Sequence, residues 1–445
     1  MLLITNNNMT FEIDENEMVD VEEDIYDYME MYMENEIVKF SSPHFMEDFI
    51  EDITNTYHNY LLSCGVCDEE DYDDIEEIVE VLSEVYFAFI RIPPRSISYD
   101  TIDNDYQIDY QGLSEQILKL KEIPQPKQKT PEWYSFRYNL ITASNIYKAL
   151  GSESQRNSLI YEKCKPFTTV TVENFGSNTE SPFHWGNKYE PLSVLLYEQL
   201  FQTKIDDFGC IQHANYSFIG ASPDGINTDI ASLRYGRMLE IKNICNREIT
   251  GIPKEEYWIQ TQLQMETCDL DLCDFFETRF KEFESEEQFH QDTEHEYKGA
   301  ILYFVKNTNG MSMEEIATKA GSLNVPVYKY MPIDCSTEKE CIQLWTENMK
   351  KENPDLILFS VLYWYLDEYS CVLIKRNQEW FQAALPALQG TWDTIVKERV
   401  DGYQHRAAKK RAPTNNTILV KKLGAEENGP FVENTNTPIC LVKLD

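Results

Sequence analysis

The segments Ser222-Pro223-Asp224-Gly225 and Glu240-Ile241-Lys242 decide the fold of this chain, and 15 residues lie between Asp224 and Glu240. Side chains of a β-strand alternate between its two faces, so Glu240 and Lys242 share a face and Ile241 points into the core. An aspartate at the end of a neighbouring strand can then meet Glu240. Paired carboxylates bind Mg²⁺, and a lysine beside them contacts water or a phosphate. This spacing is typical of a metal-dependent nuclease site.

Each of the two segments also has an ordinary interpretation. An isolated Ser-Pro-Asp-Gly is a turn in most proteins, because proline presets one backbone dihedral and glycine permits the next. An isolated Glu-x-Lys is usually a surface strand. The nuclease interpretation therefore depends on further segments that accompany these two in a fixed order.

A third carboxylate lies upstream, in Trp185-Gly186-Asn187-Lys188-Tyr189-Glu190. The leucines that follow Glu190 predict a helix, so Glu190 is expected near the start of that helix. A glutamate placed there can be aimed at a metal ion. Three carboxylates are enough to hold a pair of Mg²⁺ ions about 3.5–4 Å apart, the arrangement that neutralises both sides of a phosphodiester undergoing in-line attack.

Two more segments carry groups that bind phosphate. In Tyr257-x-x-Gln260-x-Gln262-x-Gln264, the amides of Gln260 and Gln264 share one face of a helix. In Trp133-x-x-x-Arg137-x-x-x-x-Thr142-Ala143-Ser144, the arginine can grip a phosphate bidentately and the serine hydroxyl lies near a helix N-terminus.

Taken in order, these five segments resemble the lambda exonuclease and YqaJ-type viral recombinase family of the PD-(D/E)XK nuclease superfamily. The resemblance runs from about Trp133 to about Lys397. The added N-terminal region and the insertions look more like the versions carried by large DNA viruses of eukaryotes than like the compact phage enzyme. The fold implied is α/β (α+β), with a restriction-endonuclease-like core in which helices flank a central mixed sheet.

The resemblance also implies roles for individual residues. The metal ligands it implies are Glu190, Asp224, Glu240 and the main-chain carbonyl of Ile241. The metal is Mg²⁺, as one ion or two, and Mn²⁺ can substitute for it. Lys242 is implied as the catalytic lysine, which orients or deprotonates the attacking water beside Asp224 and Glu240. The pocket for a terminal 5′-phosphate is implied to contain Arg137, Ser144, Ser222 and Gln260.

The activity implied is that of a Mg²⁺-dependent deoxyribonuclease, which degrades one strand of a linear duplex 5′→3′ from a 5′-phosphorylated end in viral recombination or repair. Its partners by analogy are double-stranded DNA ends, a single-strand annealing protein and further copies of the chain, as in the ring trimer of the phage enzyme. A structure-specific endonuclease on the same fold and a non-catalytic acidic protein that mimics DNA or docks a partner are the alternatives.

The net charge of −38 seems to oppose DNA binding, but the charge is unevenly distributed. Residues 1–90 contain 26 acidic residues and one basic residue, Lys39, and so hold about two-thirds of the excess. The far end carries a run of basic residues, which includes Lys397, Arg399, Arg406, Lys409, Lys410, Arg411, Lys421 and Lys422. That tail can reach phosphates, or it can be merely solvated and disordered.

Composition changes along the chain predict three regions. Residues 1–125 are expected to be an acidic, mainly helical N-terminal appendage, although for residues 1–36 disorder remains an alternative. A proline-rich linker at 123–131 contains the boundary with the nuclease domain. The domain spans 126–400 and carries an acidic insertion around 281–298. Residues 401–445 are expected to be the flexible basic tail.

Eleven scattered cysteines, an odd number, favour reduced thiols and an intracellular protein. Cys64 and Cys67 with His58 could be half of a zinc site, but no second pair has a fitting spacing. No signal peptide and no apolar run of transmembrane length is apparent, so no membrane association is expected. For a viral protein this predicts the host cytoplasm, where such viruses replicate, or the nucleus.

Overall fold

The computed structural model describes residues 15–90, 108–167, 182–306 and 326–408. Residues up to Ala407 form one compact unit, and the second unit, Ala408–Asp445, lies almost wholly outside the described residues. Most of the basic tail therefore lies outside the described residues. So does Ile92-Pro93-Pro94-Arg95, whose two prolines predict the end of a helix.

The acidic N-terminal region is helical. Its described helices are α1 (Glu15–Glu36), α2 (Phe45–Cys64), α3 (Tyr72–Val85) and α4 (Tyr110–Glu122). Of the two alternatives for residues 1–36, the helix is therefore correct from Glu15 onward. Its apolar side chains Val21, Ile25, Met29 and Met33 recur every fourth residue and are all buried, so they form one stripe against the core.

Short helices and small strands follow the linker. They are α5 (Pro131–Tyr138), β1 (Ile141–Thr142), α6 (Tyr147–Leu150), α7 (Glu153–Cys164) and α8 (Pro182–Phe201). α5 begins as its sequence predicts, because the Thr130 side chain accepts from the N–H of Trp133 and proline occupies the first helical position. Thr142 and Asn145 form a capping box at the turn into α6.

A mixed sheet forms the centre of the fold, as expected. In the described residues its order is β2-β5-β6-β7-β10-β8-β9, and a small second sheet has the order β1-β4-β3. The strands are β2 (Ile205–Asp206), β3 (Ile211–Gln212), β4 (Ile219–Ala221), β5 (Gly225–Asn227), β6 (Met238–Asn243), β7 (Leu272–Glu282), β8 (Lys298–Lys306), β9 (Val327–Tyr330) and β10 (Leu356–Lys375). β6 pairs antiparallel with β5 and parallel with β7.

Four helices lie later in the chain. They are α9 (Glu255–Cys268), α10 (Glu286–Gln291), α11 (Lys339–Glu352) and α12 (Gln378–Asp401). Ile241 on β6 packs in one apolar cluster with Leu192 and Leu196 of α8. Glu240, one residue earlier, accepts hydrogen bonds from side chains of α9. The alternation expected for Glu-x-Lys is therefore present, with α8 on one face of β6 and α9 on the other.

Two predicted strands were too short, and the start of one predicted helix was misplaced. The local sequence predicts short strands at 278–280 and 371–374, but β7 and β10 extend well beyond them, because each pairs along most of its length with the other. α8 begins at Pro182, so Glu190 lies in the middle of the helix rather than near its start. A single glycine such as Gly186 costs a helix about 1 kcal/mol and does not end it. No described helix is both long and apolar enough to span a bilayer.

The N-terminal helices share a hydrophobic core with the small sheet and with α9. Phe40, in the turn after α1, is fully buried, and its ring lies 5.9 Å from that of Trp258 on α9. The next residue in the same turn, Ser41, donates to Glu255 at the start of α9, at 3.2 Å. The stability of the acidic region is therefore coupled to that of the helix that reaches Glu240.

We expect Phe40→Ala to lower the free energy of unfolding by about 3–5 kcal/mol, because it empties a fully buried aromatic site. Exposed Met31→Ala, the matched control, should change it by less than about 0.5 kcal/mol. Urea denaturation followed by circular dichroism and by tryptophan fluorescence measures both variants. A separate early transition in circular dichroism with unchanged fluorescence would show that the two regions unfold independently.

Candidate functional site

Asp224 and Glu240 meet where β5 and β6 pair. Asp224 immediately precedes β5, and Gly225 lies opposite Leu239 in the register. The N–H of Ile241 donates to Asp224 Oδ2 at 2.8 Å, which fixes the aspartate beside the Glu-x-Lys strand. Glu240 is only 1% exposed. The two carboxylates therefore approach each other in a largely dehydrated place.

Three donors surround the Glu240 carboxylate. The Lys242 ammonium donates to Oε1, and Gln260 Nε2 donates to the same oxygen at 2.6 Å. Gln264 Nε2 donates to Oε2 at 2.7 Å. Lys242 also donates to Gln260 Oε1 at 3.2 Å, and its ammonium lies 4.7 Å from the centre of the Tyr257 ring. One face of α9 thus orients both the glutamate and the lysine.

Glu190 reaches the same region from α8, on the other face of the sheet. Lys129 Nζ donates to both of its oxygens at 3.2 Å, which places an ammonium group on this carboxylate. Lys129 belongs to the predicted linker and has a left-handed backbone, with φ of 64°. The linker is therefore anchored at the site. Lys129, Glu190 and Asp224 line one side of a cavity of about 460 Å³.

The electrostatics of these carboxylates fit a cation. Burial raises the pKa of Asp224 well above its ordinary value, and the negative charges of Glu240 and Glu190 raise it further; Lys242 and the Ile241 N–H oppose that shift. For Lys242, burial lowers the pKa, but Glu240 and Asp224 outweigh it, so the net pKa is raised. Lysine ammonium groups contact Glu190 and Glu240 as a metal ion would.

The three carboxylates nevertheless do not form a closed metal cage. Among the described residues, no three His, Cys, Asp or Glu side chains are grouped closely enough to hold an ion. Binding of an ion by Glu190, Asp224, Glu240 and the Ile241 carbonyl stays a prediction. The donor set has the oxygen chemistry that Mg²⁺ and Mn²⁺ require.

Arg137 forms the centre of a second group. Its guanidinium donates to the hydroxyls of Ser144 at 2.8 Å, Thr142 at 3.4 Å and Ser222 at 3.4 Å. The Trp133 ring stacks under it at 4.1 Å, and the Trp133 indole donates to Ser222 Oγ at 3.1 Å. All the described hydrogen bonds of the Arg137 guanidinium go to uncharged hydroxyls. No carboxylate pairs with it in these bonds, so its positive charge can bind an anion.

The structure brings the predicted residues into two adjacent groups. Arg137, Ser144 and Ser222 lie together, whereas Gln260 contacts Glu240 and Lys242 in the carboxylate group. Gln264 joins the groups, because it also donates to the Ser222 carbonyl at 3.5 Å. The role of Gln260 at a terminal phosphate stays a prediction.

Sequence reasoning put Gln264 on the same helix face as Gln260 but did not assign it to Glu240, and it missed three further contributors. Trp133 could have been found, since it lies one helical turn from Arg137. Lys129 and Lys163 carry no such signal, because only the fold brings them to Glu190 and to Arg137. Gln262 packs instead against the start of α12, donating to the Lys375 carbonyl at 2.9 Å.

Arg399 and Arg406, counted with the basic tail, have internal partners. Arg406 pairs with Glu398, and Arg399 donates to the carbonyls of Lys163 and Tyr138 at 2.9 Å. The described cysteines are all free thiols. Cys64 is exposed, and the Cys67 thiol lies 3.9 Å from the His58 carbonyl oxygen.

Comparison with known proteins supports the resemblance drawn from the motifs. Residues 132–271 match the family model of the YqaJ-like viral recombinase domain, which confirms that resemblance over this range. A relative from Acanthamoeba polyphaga mimivirus, the uncharacterized protein R354, is 31% identical over 308 residues, or 62% of this chain. The match covers 54% of that relative, so the chain spans about half the length of the curated protein it matches.

Three solved structures are similar to the chain at low identity. LHK-Exo in complex with dAMP is 17% identical, with a TM-score of 0.35, over 61% of this chain and 94% of its own. The alkaline exonuclease LHK-Exo from Laribacter hongkongensis is 16% identical, with a TM-score of 0.33, over 62% and 95%. A phage-related exonuclease from Haemophilus somnus 129PT is 15% identical, with a TM-score of 0.28, over 58% and 96%.

We expect Asp224→Asn to stabilise the protein in EDTA by about 1–2 kcal/mol at pH 8, because it removes one of the repelling charges. The raised pKa of Asp224 sets the sign: above about pH 4 the unfolded chain ionises while the folded one resists, so wild-type stability falls with pH. The advantage of the variant should grow with pH until the folded aspartate ionises.

Thermal and urea unfolding between pH 5 and 9 measure this difference. The matched control is Asp355→Asn at an exposed turn, which should stay within about 0.5 kcal/mol of wild type at each pH. A destabilised Asp224→Asn protein at pH 8 would mean that the hydrogen bond from Ile241 outweighs the repulsion.

Proposed function

We propose that this chain, whose residues 132–271 match the YqaJ-like viral recombinase domain, is a metal-dependent DNA exonuclease. It degrades one strand of a linear duplex 5′→3′ from a 5′-phosphorylated end. The observation that carries the proposal is the adjacency of two groups: the carboxylates with Lys242, and the Arg137 pocket that presents its charge to hydroxyls alone.

Ser222 and Gln264 link these groups over a short path. The Ser222 hydroxyl accepts from Arg137, its carbonyl accepts from Gln264, and Gln264 also holds Glu240. A terminal phosphate bound by Arg137 would therefore lie beside the carboxylates. A bond cut there is close to the strand end, which favours release of short products from an end over internal cutting.

The groups that would hold Mg²⁺, as one ion or two, are Glu190, Asp224, Glu240 and the main-chain carbonyl of Ile241. Mn²⁺ offers the same oxygen preference and can replace it. A bound divalent ion supplies neutralisation of charge on the phosphoryl oxygens and on the leaving alkoxide. The repulsion among these carboxylates in the protein alone supports the assignment.

Lys242 and the side-chain amides of α9 orient the reacting groups and stabilise charge in the proposed reaction. In the protein without metal, Glu240 and Asp224 raise the pKa of Lys242 despite its burial, so its ammonium is available to orient the attacking water and to offer positive charge to the phosphate. Gln260 and Gln264 fix Glu240 from the same side. Preorganised donors of this kind stabilise developing charge without reorganisation at the moment of reaction.

The biological setting proposed is recombination or repair of viral DNA, with a single-strand annealing protein as partner and a ring trimer as the assembly. A structure-specific endonuclease is the alternative. Covalently closed circular duplex separates the two: the exonuclease leaves it intact, whereas nicking or linearisation by the wild-type protein would favour the endonuclease.

We expect Lys242→Ala to lower the cleavage rate of linear duplex with Mg²⁺ by about 10³-fold, in the range that a positioned proton-handling or charged group contributes. The control, Lys204→Ala, removes an exposed lysine of similar charge and should retain the wild-type rate. Rates are measured in single turnover, with circular dichroism confirming the fold. Undiminished cleavage by Lys242→Ala would exclude this role.

We expect wild-type protein to cleave 5′-phosphorylated ends about 10–100-fold faster than 5′-hydroxyl ends, because hydrogen bonds to a charged group contribute about 1.5–3 kcal/mol. Arg137→Ala should make the two rates equal, and exposed Arg156→Ala should preserve the preference. Equal wild-type rates on both ends would contradict the pocket without contradicting the nuclease chemistry.

A further inference from the structure

Lys163 is a buried lysine that the proposed chemistry does not use. It lies in the last turn of α7, is 5% exposed, and donates to the main-chain carbonyl of Arg137 at 2.8 Å. Burying an ammonium group is costly unless an anion or strong acceptors compensate it. In the part of the chain that the structure describes, the hydrogen bond to Arg137 is its compensation.

A purely structural role would be to cap α5. Lysine near a helix C-terminus satisfies the last carbonyls and interacts with the helix dipole. That task is already performed from α12, where Arg399 donates to the Tyr138 carbonyl at 2.9 Å and to Asn139 Oδ1 at 3.3 Å. A second cation at the same helix end, this one buried, therefore needs a further reason.

The charges around Lys163 are unbalanced. Arg137 faces it from α5 and Arg399 from α12; the acidic side chain that opposes them is Glu162 on its own helix, and Cys210 faces it before β3. Burial raises the pKa of the Cys210 thiol, so that group stays uncharged at neutral pH. The Lys163 ammonium donates to the Arg137 main chain, and the Arg399 guanidinium donates to the main chain of Lys163 and Tyr138, so three cationic side chains lie around the end of α5 that carries Arg137.

We propose that Lys163 is a positioning residue that adds a second positive charge to the terminal-phosphate pocket through Arg137 and makes recognition of a 5′-phosphate weaken as pH rises. The inference rests on the proposed function, because it assumes that Arg137 binds that phosphate. It assigns a pH sensitivity to end recognition that is separate from the chemistry at Lys242.

The direction follows from the state of the free protein. Burial, with Arg137 and Arg399 adding to it, lowers the pKa of Lys163 to about 8, although Glu162 and Cys210 oppose the shift. The free protein therefore loses the Lys163 proton as pH rises through about 8. A bound phosphate favours the ammonium form, so binding above that pH takes up a proton, whereas binding at pH 7 does not. The phosphate's own second pKa, about 6, lies outside this window.

The test is the affinity of 5′-phosphorylated and 5′-hydroxyl duplexes, measured by fluorescence anisotropy in EDTA so that no strand is cut. For wild type, we expect the ratio of the two affinities to fall about tenfold between pH 7 and pH 9.5, the value of one pKa unit of coupling. With that coupling, binding of the phosphorylated duplex near pH 8.5 should take up about half a proton, whereas the hydroxyl duplex should take up none.

Lys163→Met should give the lower ratio already at pH 7, with no further change at pH 9.5. Lys163→Arg, whose charge persists at both values, should keep the higher ratio throughout. The matched control is Lys165→Met at the exposed end of the same helix, which should follow wild type. If Lys163→Met does not fold, the wild-type pH profile and proton uptake still decide the matter.

Three outcomes overturn parts of the proposal separately. A lower unfolding temperature of Lys163→Met with an unchanged affinity ratio would show that Lys163 only caps α5. A wild-type preference for the phosphate that is flat with pH, without proton uptake, would exclude Lys163 and leave the Arg137 pocket standing. A wild type without any preference at any pH would refute the proposed end recognition itself.

Discussion

The repulsion between Asp224 and Glu240 is the constraint on which the rest of the site depends. Their carboxylates come together because Asp224 directly precedes β5, and β5 pairs with the strand β6 that carries Glu240. Glu240 is buried and Asp224 is half-buried. Every neighbouring device opposes that repulsion: the Lys242 ammonium, the Ile241 N–H and two α9 amides. A site held in this state is unfavourable for the protein alone and favourable for a cation.

The linker and the N-terminal region make contacts that hold the carboxylates and α9 in place. Lys129 sits on Glu190, and the side-chain amide of Gln128 donates to the Pro223 carbonyl at 3.0 Å, so the linker lies against the Ser-Pro-Asp-Gly turn. α9, which orients Glu240, is packed through Trp258 against Phe40 of the acidic region. Most of the net charge of −38 lies on residues 1–90, so it does not have to face DNA.

The sequence predicts the part of the site that follows from local periodicity. The shared face of Glu240 and Lys242, the buried Ile241 and the helix bearing Gln260 all follow from strand and helix repeats. The mixed sheet was expected from the family resemblance that the five ordered motifs carry. The helix at Glu15–Glu36 could have been assigned from the four-residue repeat of Ile25, Met29 and Met33, which the high acidic content obscured.

What could not be predicted depends on tertiary approach. Lys129 and Lys163 are ordinary surface-type lysines in the sequence, and only the folded chain brings them to Glu190 and to the Arg137 carbonyl. The length of β10 follows from pairing with both β7 and β8 rather than from its own residues. The position of Glu190 within α8 depends on a helix that continues through Gly186 and Pro191.

The most direct measurement of the central claim uses a linear duplex that carries a 5′-phosphate on one strand only, with each strand labelled internally by a different dye. With Mg²⁺, the account predicts stepwise loss of the phosphorylated strand from its 5′ end and an intact complementary strand. Loss of the unphosphorylated strand first, or internal fragments from both strands, would contradict the claim that the Arg137 pocket and the carboxylates act together on a DNA end.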